Sequence, residues 1–231
     1  SVSEIQCIDA NYFYAIGPSL IKSTNGGDNW IPINLELETT TGLYFLNKNE
    51  GFVVGDKKVK KTTNGGQSWS EIGSFSFSAL AIHFFDSNNG IVVGSGGNIK
   101  KTSDGGNNWA NISSGVTLRL KKIFFVNDNN GWIAGQGGVI VHTTDGGDNW
   151  TTQSSGTSNN FRDLHFISED IGFVVGINGT AIKTTDGGSN WSNINVNTSN
   201  HLSGIYFINS NYGWIASEQG LLLRSTNGGS S

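Results

Sequence analysis

The sequence predicts an all-β fold: a β-propeller of about six four-stranded antiparallel blades, the last lacking its outer strand. Three observations predict it. A nine-residue pattern, Lys22-Ser-Thr-Asn-Gly-Gly-Asp-Asn-Trp30, returns about every forty residues, within the period of propeller blades. Each unit between these copies holds four short apolar segments, β-branched or aromatic-rich and bounded by Gly, Asn or Asp, which read as strands. No window carries a helical period. A four-stranded antiparallel unit repeated radially is a propeller blade.

Each element follows from the same repeat. The pattern recurs as Lys61 to Trp69, Lys101 to Trp109, His142 to Trp150 and Lys183 to Trp191, with Trp spacings of 39, 40, 41 and 41. A sixth copy, Arg224-Ser-Thr-Asn-Gly-Gly229, stops before its Trp. Segment a of each unit is Leu43-Tyr-Phe, Ile82-His-Phe, Ile123-Phe-Phe, Leu164-His-Phe or Ile205-Tyr-Phe. Segment b opens on Gly, as in Gly51-Phe-Val-Val-Gly55, Gly131-Trp-Ile-Ala-Gly135 and Gly172-Phe-Val-Val-Gly176. Segment c is Ile/Val-x-Lys-Thr-Thr, and segment d begins at the Trp. The first unit departs from the pattern, with Ile5-Gln-Cys7 as segment a and Phe13 where the others carry Gly. Between c and d every copy carries Asn-Gly or Asp-Gly, which predicts a type I′ hairpin with positive φ at both central residues. The units run over about 2–39, 40–78, 79–118, 120–160, 161–201 and 202–231, as one propeller domain over 1–231.

Composition narrows the class further. Charged residues are 14% of 231, against roughly 25% in an ordinary soluble protein. Aromatic residues are 11%, which excludes a disordered chain. A net charge of −4 argues against nucleic acid as a partner, since that needs a basic face. No apolar run approaches the roughly 20 residues of a membrane helix. The lone cysteine, Cys7, cannot form an internal disulfide. Thirty-three glycines and a start without Met, with Asn, Ser and Thr abundant, suggest a processed or excised bacterial chain, extracellular, at the cell surface or periplasmic.

The Ser/Thr-x-Asp-Gly-Gly-x-x-Trp pattern resembles the Asp-box, or bacterial neuraminidase repeat. With the upstream Gly-Trp-x-x-Gly element the unit is most similar to the repeats of photosystem II assembly-factor-like propellers. Similar boxes occur in sialidases, xyloglucanases and sortilin-type receptors. The resemblance implies structural turns at Asn25, Asn64, Asp104, Asp145, Asp186 and Asn227, lying away from the functional face. It also implies that Trp30, Trp69, Trp109, Trp150 and Trp191 pack between blades. Asn and Asp alternate at the box position, and both make the same turn hydrogen bonds, which favours structure over chemistry there.

Catalytic constellations are not recognisable. A sialidase-like site implies three converging arginines, and the chain has Arg119, Arg162 and Arg224 alone, the last in a column of lysines. A glycosidase needs two facing carboxylates, and nothing in the spacing of Glu4, Asp163 and Glu169 marks a pair. Metal and phosphate motifs are absent, so no cofactor and no metal are expected. His83 and His165 share a column with Gln6, Tyr44, Phe124 and Tyr206, which reads as packing.

Positions off the consensus say more. The column before segment a runs Ser3, Thr41, Leu80, Lys121, Arg162, Ser203, and its neighbour runs Glu4, Gly42, Ala81, Lys122, Asp163, Gly204. Strand a is innermost in a propeller, so Arg119, Lys121, Lys122, Arg162 and Asp163 are expected near the channel mouth as a partner-binding spot. The unfinished sixth unit leaves an edge that a protein partner or a missing C-terminal segment would complete. The function these features predict is a non-catalytic binding or scaffolding module for a protein partner. The alternative is a carbohydrate-active protein, an enzyme or a lectin, with a glycan as ligand.

Overall fold

The computed structural model describes residues 2–230. The chain divides into two compact units, the first comprising residues up to Ser95 with Ile99–Asn111, the second Gly96–Asn98 with Ile112 onward. Each consists of antiparallel sheets whose strands pair in chain order.

In the first unit, β1 (Glu4–Cys7), β2 (Phe13–Ile16), β3 (Leu20–Ser23) and β4 (Ile31–Ile33) make the first sheet. The second holds β5 (Gly42–Phe45), β6 (Gly51–Gly55), β7 (Lys58–Thr62) and β8 (Ser70–Ser74). The third holds β9 (Ala79–Phe84), β10 (Gly90–Gly94), β11 (Ile99–Thr102) and β12 (Ala110–Ile112). In the second unit, the fourth sheet is β13 (Leu120–Phe125), β14 (Gly131–Gly135), β15 (Ile140–Thr143) and β16 (Thr151–Gln153). The fifth is β17 (Phe161–Phe166), β18 (Gly172–Gly176), β19 (Ala181–Thr184) and β20 (Ser192–Asn193). The sixth, among the described residues, has three strands, β21 (Leu202–Phe207), β22 (Gly213–Ser217) and β23 (Leu222–Ser225). In the first five repeats the four segments are thus the four strands of a blade. No helix of the described residues is long and apolar enough to cross a membrane.

Strand alternation sends successive side chains to opposite faces, and in the middle sheet of each unit both faces are covered by the neighbouring sheets of that unit. The second strand there is accordingly buried along its whole length, as in β6 and β18. Between blades the second strand's aromatic stacks on the phenylalanine of the next blade's first strand. Tyr14 on Phe45 lies at 3.6 Å and Phe52 on Phe84 at 3.5 Å between ring centroids. In the second unit Trp132 on Phe166 lies at 3.6 Å and Phe173 on Phe207 at 3.7 Å.

The turn between third and fourth strands differs from the expected type I′ hairpin. In the third blade the left-handed residues are Gly105 (φ 74°) and Gly106 (φ 92°), and Asp104 is not among them. The Asx side chain serves the turn instead: Asp104 Oδ1 accepts the Thr102 hydroxyl at 2.9 Å and the Asn108 N–H at 2.9 Å. The same pair of bonds forms at Asn25, Asn64, Asp145 and Asp186. An acceptor oxygen common to Asn and Asp explains why the two alternate. Where the residue is Asp, its second oxygen takes an Asn amide, as Asn149 Nδ2 does at 2.8 Å from Asp145. Where it is Asn64, the amide donates to the Ser68 hydroxyl at 2.9 Å.

These bonds hold the carboxyls of Asp104 and Asp186 below the ordinary range and that of Asp145 down to about 2, the amide of the Asn four residues on being the largest cause. A carboxyl whose folded pKa is depressed contributes stability above its unfolded pKa, and that contribution is lost as pH falls through the folded value. Stability is expected to fall between about pH 4 and pH 2, and less steeply in a variant carrying Asp104→Asn, Asp145→Asn and Asp186→Asn. Urea midpoints across that pH range measure it, and identical slopes would contradict it.

Candidate functional site

The residues of interest stand where the first strand of each blade begins. At that point the pairing of first and second strands is irregular in the same way four times. Leu120 pairs Gly135 and Lys122 pairs Ala134, so Lys121 is one residue too many. Arg162 and Ser203 are the extra residues of β17 and β21, and Leu80 that of β9. This is a β-bulge, which bends the strand and re-aims a side chain. The column chosen from the sequence is therefore the bulge column of these blades. Its backbone is held tightly: a Cβ added at Gly135 would lie 2.1 Å from Arg119 O, and the Gln136 N–H donates to that same oxygen at 2.8 Å.

In the second unit this geometry presents charge. Arg119 and Lys121 are exposed and Lys122 is half-buried, all at the start of β13. The adjacent β17 brings Arg162 and Asp163 to the same end. Arg162 pairs through Nη1 with Glu218, in the turn after β22. Asp163 Oδ2 accepts the Ile205 N–H at 2.9 Å. His165, two residues on, has its Nε2 2.9 Å from Phe207 O. A carbonyl only accepts, so Nε2 carries the proton. Burial lowers this imidazole's pKa, opposed by the Phe207 bond, so the ring is neutral at pH 7. Arg119 and Lys121 thus stand exposed at this end, with Arg162 and its partner Glu218 beside them.

Asp163 and His165 satisfy the free edge of the next blade's first strand. The same device stands in the first unit. Gln6 Oε1 accepts the Phe45 N–H at 2.7 Å, its amide donates to Phe45 O at 2.9 Å, and Glu4 Oε2 accepts Leu43 N–H at 3.2 Å. Two polar side chains at i and i+2 replace the strand that an inner edge lacks. Sequence reasoning missed this role, although its signal was present in Glu4/Gln6 and Asp163/His165, two polar pairs in otherwise apolar strands.

The remaining sequence candidates lie elsewhere. Trp69 packs on Phe45 of its own blade and against the first blade's cluster of Tyr14, Leu20 and Ile33, and Trp109 packs on Phe84 of its own blade and on Phe75, its indole N–H on Ile72 O at 2.9 Å, so both sit between consecutive blades. Trp191 packs edge-on to Phe166 and Trp150 to Phe125. Trp30 stays more than one-third exposed, against Phe13. Asn227 lies in the last turn, 3.1 Å from the Ser225 hydroxyl. His83 is packed against Tyr44 and Phe85, and burial lowers its pKa to about 3. No cluster of His, Cys, Asp and Glu fit for a metal ion occurs among the described residues.

The family described as photosynthesis system II assembly factor YCF48 matches this repeat twice, over residues 74–157 and 149–231. The chain belongs to that family. Solved structures agree on the fold. A YCF48 from Cyanidioschyzon merolae superposes with a TM-score of 0.73 at 19% identity, covering 93% of this chain and 79% of that one. A YCF48 bound to D1 peptide gives 0.55 at 24% identity, covering 98% and 91%. The GH74 xyloglucanase of Xanthomonas campestris gives 0.81 at 12% identity, covering 99% of this chain but 45% of its own. No curated protein sequence matches significantly.

Proposed function

We propose that this member of the YCF48 family is a non-catalytic protein-binding propeller that holds an acidic peptide segment at the strand starts of its fourth and fifth blades. The observation that carries the reading is the bulge of β13, which presents exposed Lys121 beside exposed Arg119 on a chain of net charge −4. Family membership supports it, since one YCF48 is seen with a D1 peptide bound. Of the carboxylates at this end, Asp163 is bonded to Ile205 N–H and Glu218 pairs with Arg162, so both serve contacts within the fold in place of acid–base chemistry. The likeness to GH74 enzymes concerns fold, and one fold hosts many functions. The charge-poor, Asn- and Ser-rich composition supports a place at the cell surface or outside the cell, which fractionation of the native host tests.

The deciding experiment compares the wild-type chain with Arg119→Glu/Lys121→Glu in co-purification and cross-linking from the native host. Both side chains are exposed, so stability should change by no more than about 0.5 kcal/mol, while the partner is lost. Wild-type binding should weaken with salt, because exposed charges are screened over about 10 Å at 0.1 M ionic strength. Equal recovery by variant and wild type would remove this surface from the reading. Turnover in a glycoside hydrolase panel would replace the reading with the carbohydrate-active one.

A further inference from the structure

Arg162 holds in β17 the place that Lys121 holds in β13, the residue left over where first and second strands pair. The two strands are neighbours within the second unit, so the two cations stand one blade apart at the same end. They differ in one respect. Arg162 carries a carboxylate on its guanidinium, that of Glu218, which engages Nη1. The pair lies near the surface, with the Arg162 side chain 32% exposed and that of Glu218 42%. An exposed pair of this kind is weak, because both ions keep much of their hydration. The guanidinium fork can take a carboxylate through two parallel bonds, so a ligand carboxylate is a chemically equivalent replacement for Glu218.

The turn that holds Glu218 does not need the charge. It follows the second strand of the sixth blade, and its first N–H donates to His201 O at 3.1 Å. The same bond anchors the same turn in the two preceding blades, from Gln136 N–H to Arg119 O at 2.8 Å and from Ile177 N–H to Asn160 O at 3.0 Å. Gln136 and Ile177 build the turn without a carboxylate. Within the Glu218 turn the Ser217 N–H donates to Leu221 O at 2.9 Å and the Gly220 N–H to Ser217 O at 3.2 Å. The backbone is therefore fixed by itself, and the Glu218 side chain can leave Arg162 while the turn stays in place. Glu218 is the one of the three that brings a negative charge, and it brings it to the bulge arginine.

Resting on the acidic-segment reading above, we infer that Arg162 is a further ligand-binding cation of that site and that Glu218 is its built-in competitor. Glu218 occupies Arg162 in the empty state, as a ligand carboxylate does in the bound state. An acidic segment that reaches β17 as well as β13 displaces Glu218 and gains the arginine. A segment too short or too poor in charge to do so is held at β13 alone. The pair thus sets a threshold of charge that a partner must carry.

Fluorescence anisotropy of a labelled hexaglutamate peptide, titrated with the full chain at low ionic strength, tests this. Glu218→Gln should bind the peptide about threefold more tightly than wild type, the order of an exposed ion pair's worth. The turn accepts Gln, since the fourth blade carries Gln136 there, and circular dichroism should be unchanged. Arg162→Gln should weaken binding. Arg162→Gln/Glu218→Gln restores the net charge of −4 and should bind no more tightly than wild type. Asp128→Asn removes an exposed carboxylate beyond the far end of β13 and should leave the affinity unchanged. Glu218→Gln binding as wild type does, a gain matched by Asp128→Asn, or a gain kept in the double variant overturns the inference. The acidic-segment reading survives that outcome so long as Arg119→Glu/Lys121→Glu abolishes binding. A peptide bound by neither wild type nor Glu218→Gln overturns that reading and the inference together.

Discussion

Replacing Trp132 with alanine is expected to destabilise the second unit by about 3–5 kcal/mol, the range for deleting a fully buried large aromatic. Its ring stacks on Phe166 at 3.6 Å and on His142 at 4.5 Å, and its solvent exposure is nil. Its indole N–H also donates to Gly187 O at 3.2 Å, the counterpart of Gly65 O and Gly228 O, which accept from Lys22 and Lys183. Here His142 stands in the lysine's place, and Trp132 with Gln153, whose amide reaches Gly187 O at 2.8 Å, supplies the donors. Deletion therefore removes the stack and one of the two bonds to Gly187 O, and leaves a cavity next to the already unpartnered His142 Nε2. Thermal unfolding should show it as a drop of about 6–20 °C, at roughly 2–4 °C per kcal/mol for a chain of this size. Trp132→Phe keeps the stack and leaves Gln153 on Gly187, so it should cost about 1 kcal/mol, one hydrogen bond's net contribution. Equal effects of the two substitutions would contradict this account of the junction.

The contrast between these two substitutions also shows what a repeat sequence makes legible. Strand positions and the packing aromatics follow from periodicity, because each blade must bury the same columns against its neighbours. The conformation of the Asn/Asp-Gly-Gly turn did not follow. Dipeptide preference points to type I′, but the hydroxyl of Ser or Thr two residues earlier engages the Asx oxygen, and positive φ passes to the two glycines. At the candidate site the correct column stood out because Lys121 and Arg162 break the pattern. That they occupy a bulge was hidden, since register is set by pairing between strands and composition carries no trace of a single unpaired residue. Asp163 stood out for the same reason, yet its bond to Ile205 N–H depends on which edge of β21 is left open, a fact of tertiary structure.

Gly135→Ala is expected to have the second large effect, and on binding as well as stability. Gly135 has φ −162°, extended backbone open to any residue, so conformational strain predicts no cost. Space predicts a severe one: the new Cβ would stand 2.1 Å from Arg119 O and 3.0 Å from the Arg119 carbonyl carbon. Those atoms are backbone, held by the Gln136 N–H at 2.8 Å, and cannot swing aside as a side chain would. The strand start must move, at a cost of about 1–3 kcal/mol for forced backbone shifts. The residues that move are Arg119 to Lys121, so partner binding should fall further than the loss of folded protein explains. Gly156→Ala is the matched control. It has φ 73° and nothing within 4 Å of its added Cβ, so it should cost about 1–2 kcal/mol of left-handed backbone strain and leave binding by the folded fraction intact. Urea unfolding of both variants, with partner affinity corrected for the folded fraction, separates the two mechanisms. If Gly135→Ala bound as Gly156→Ala does, the bulge would not be what positions the basic end.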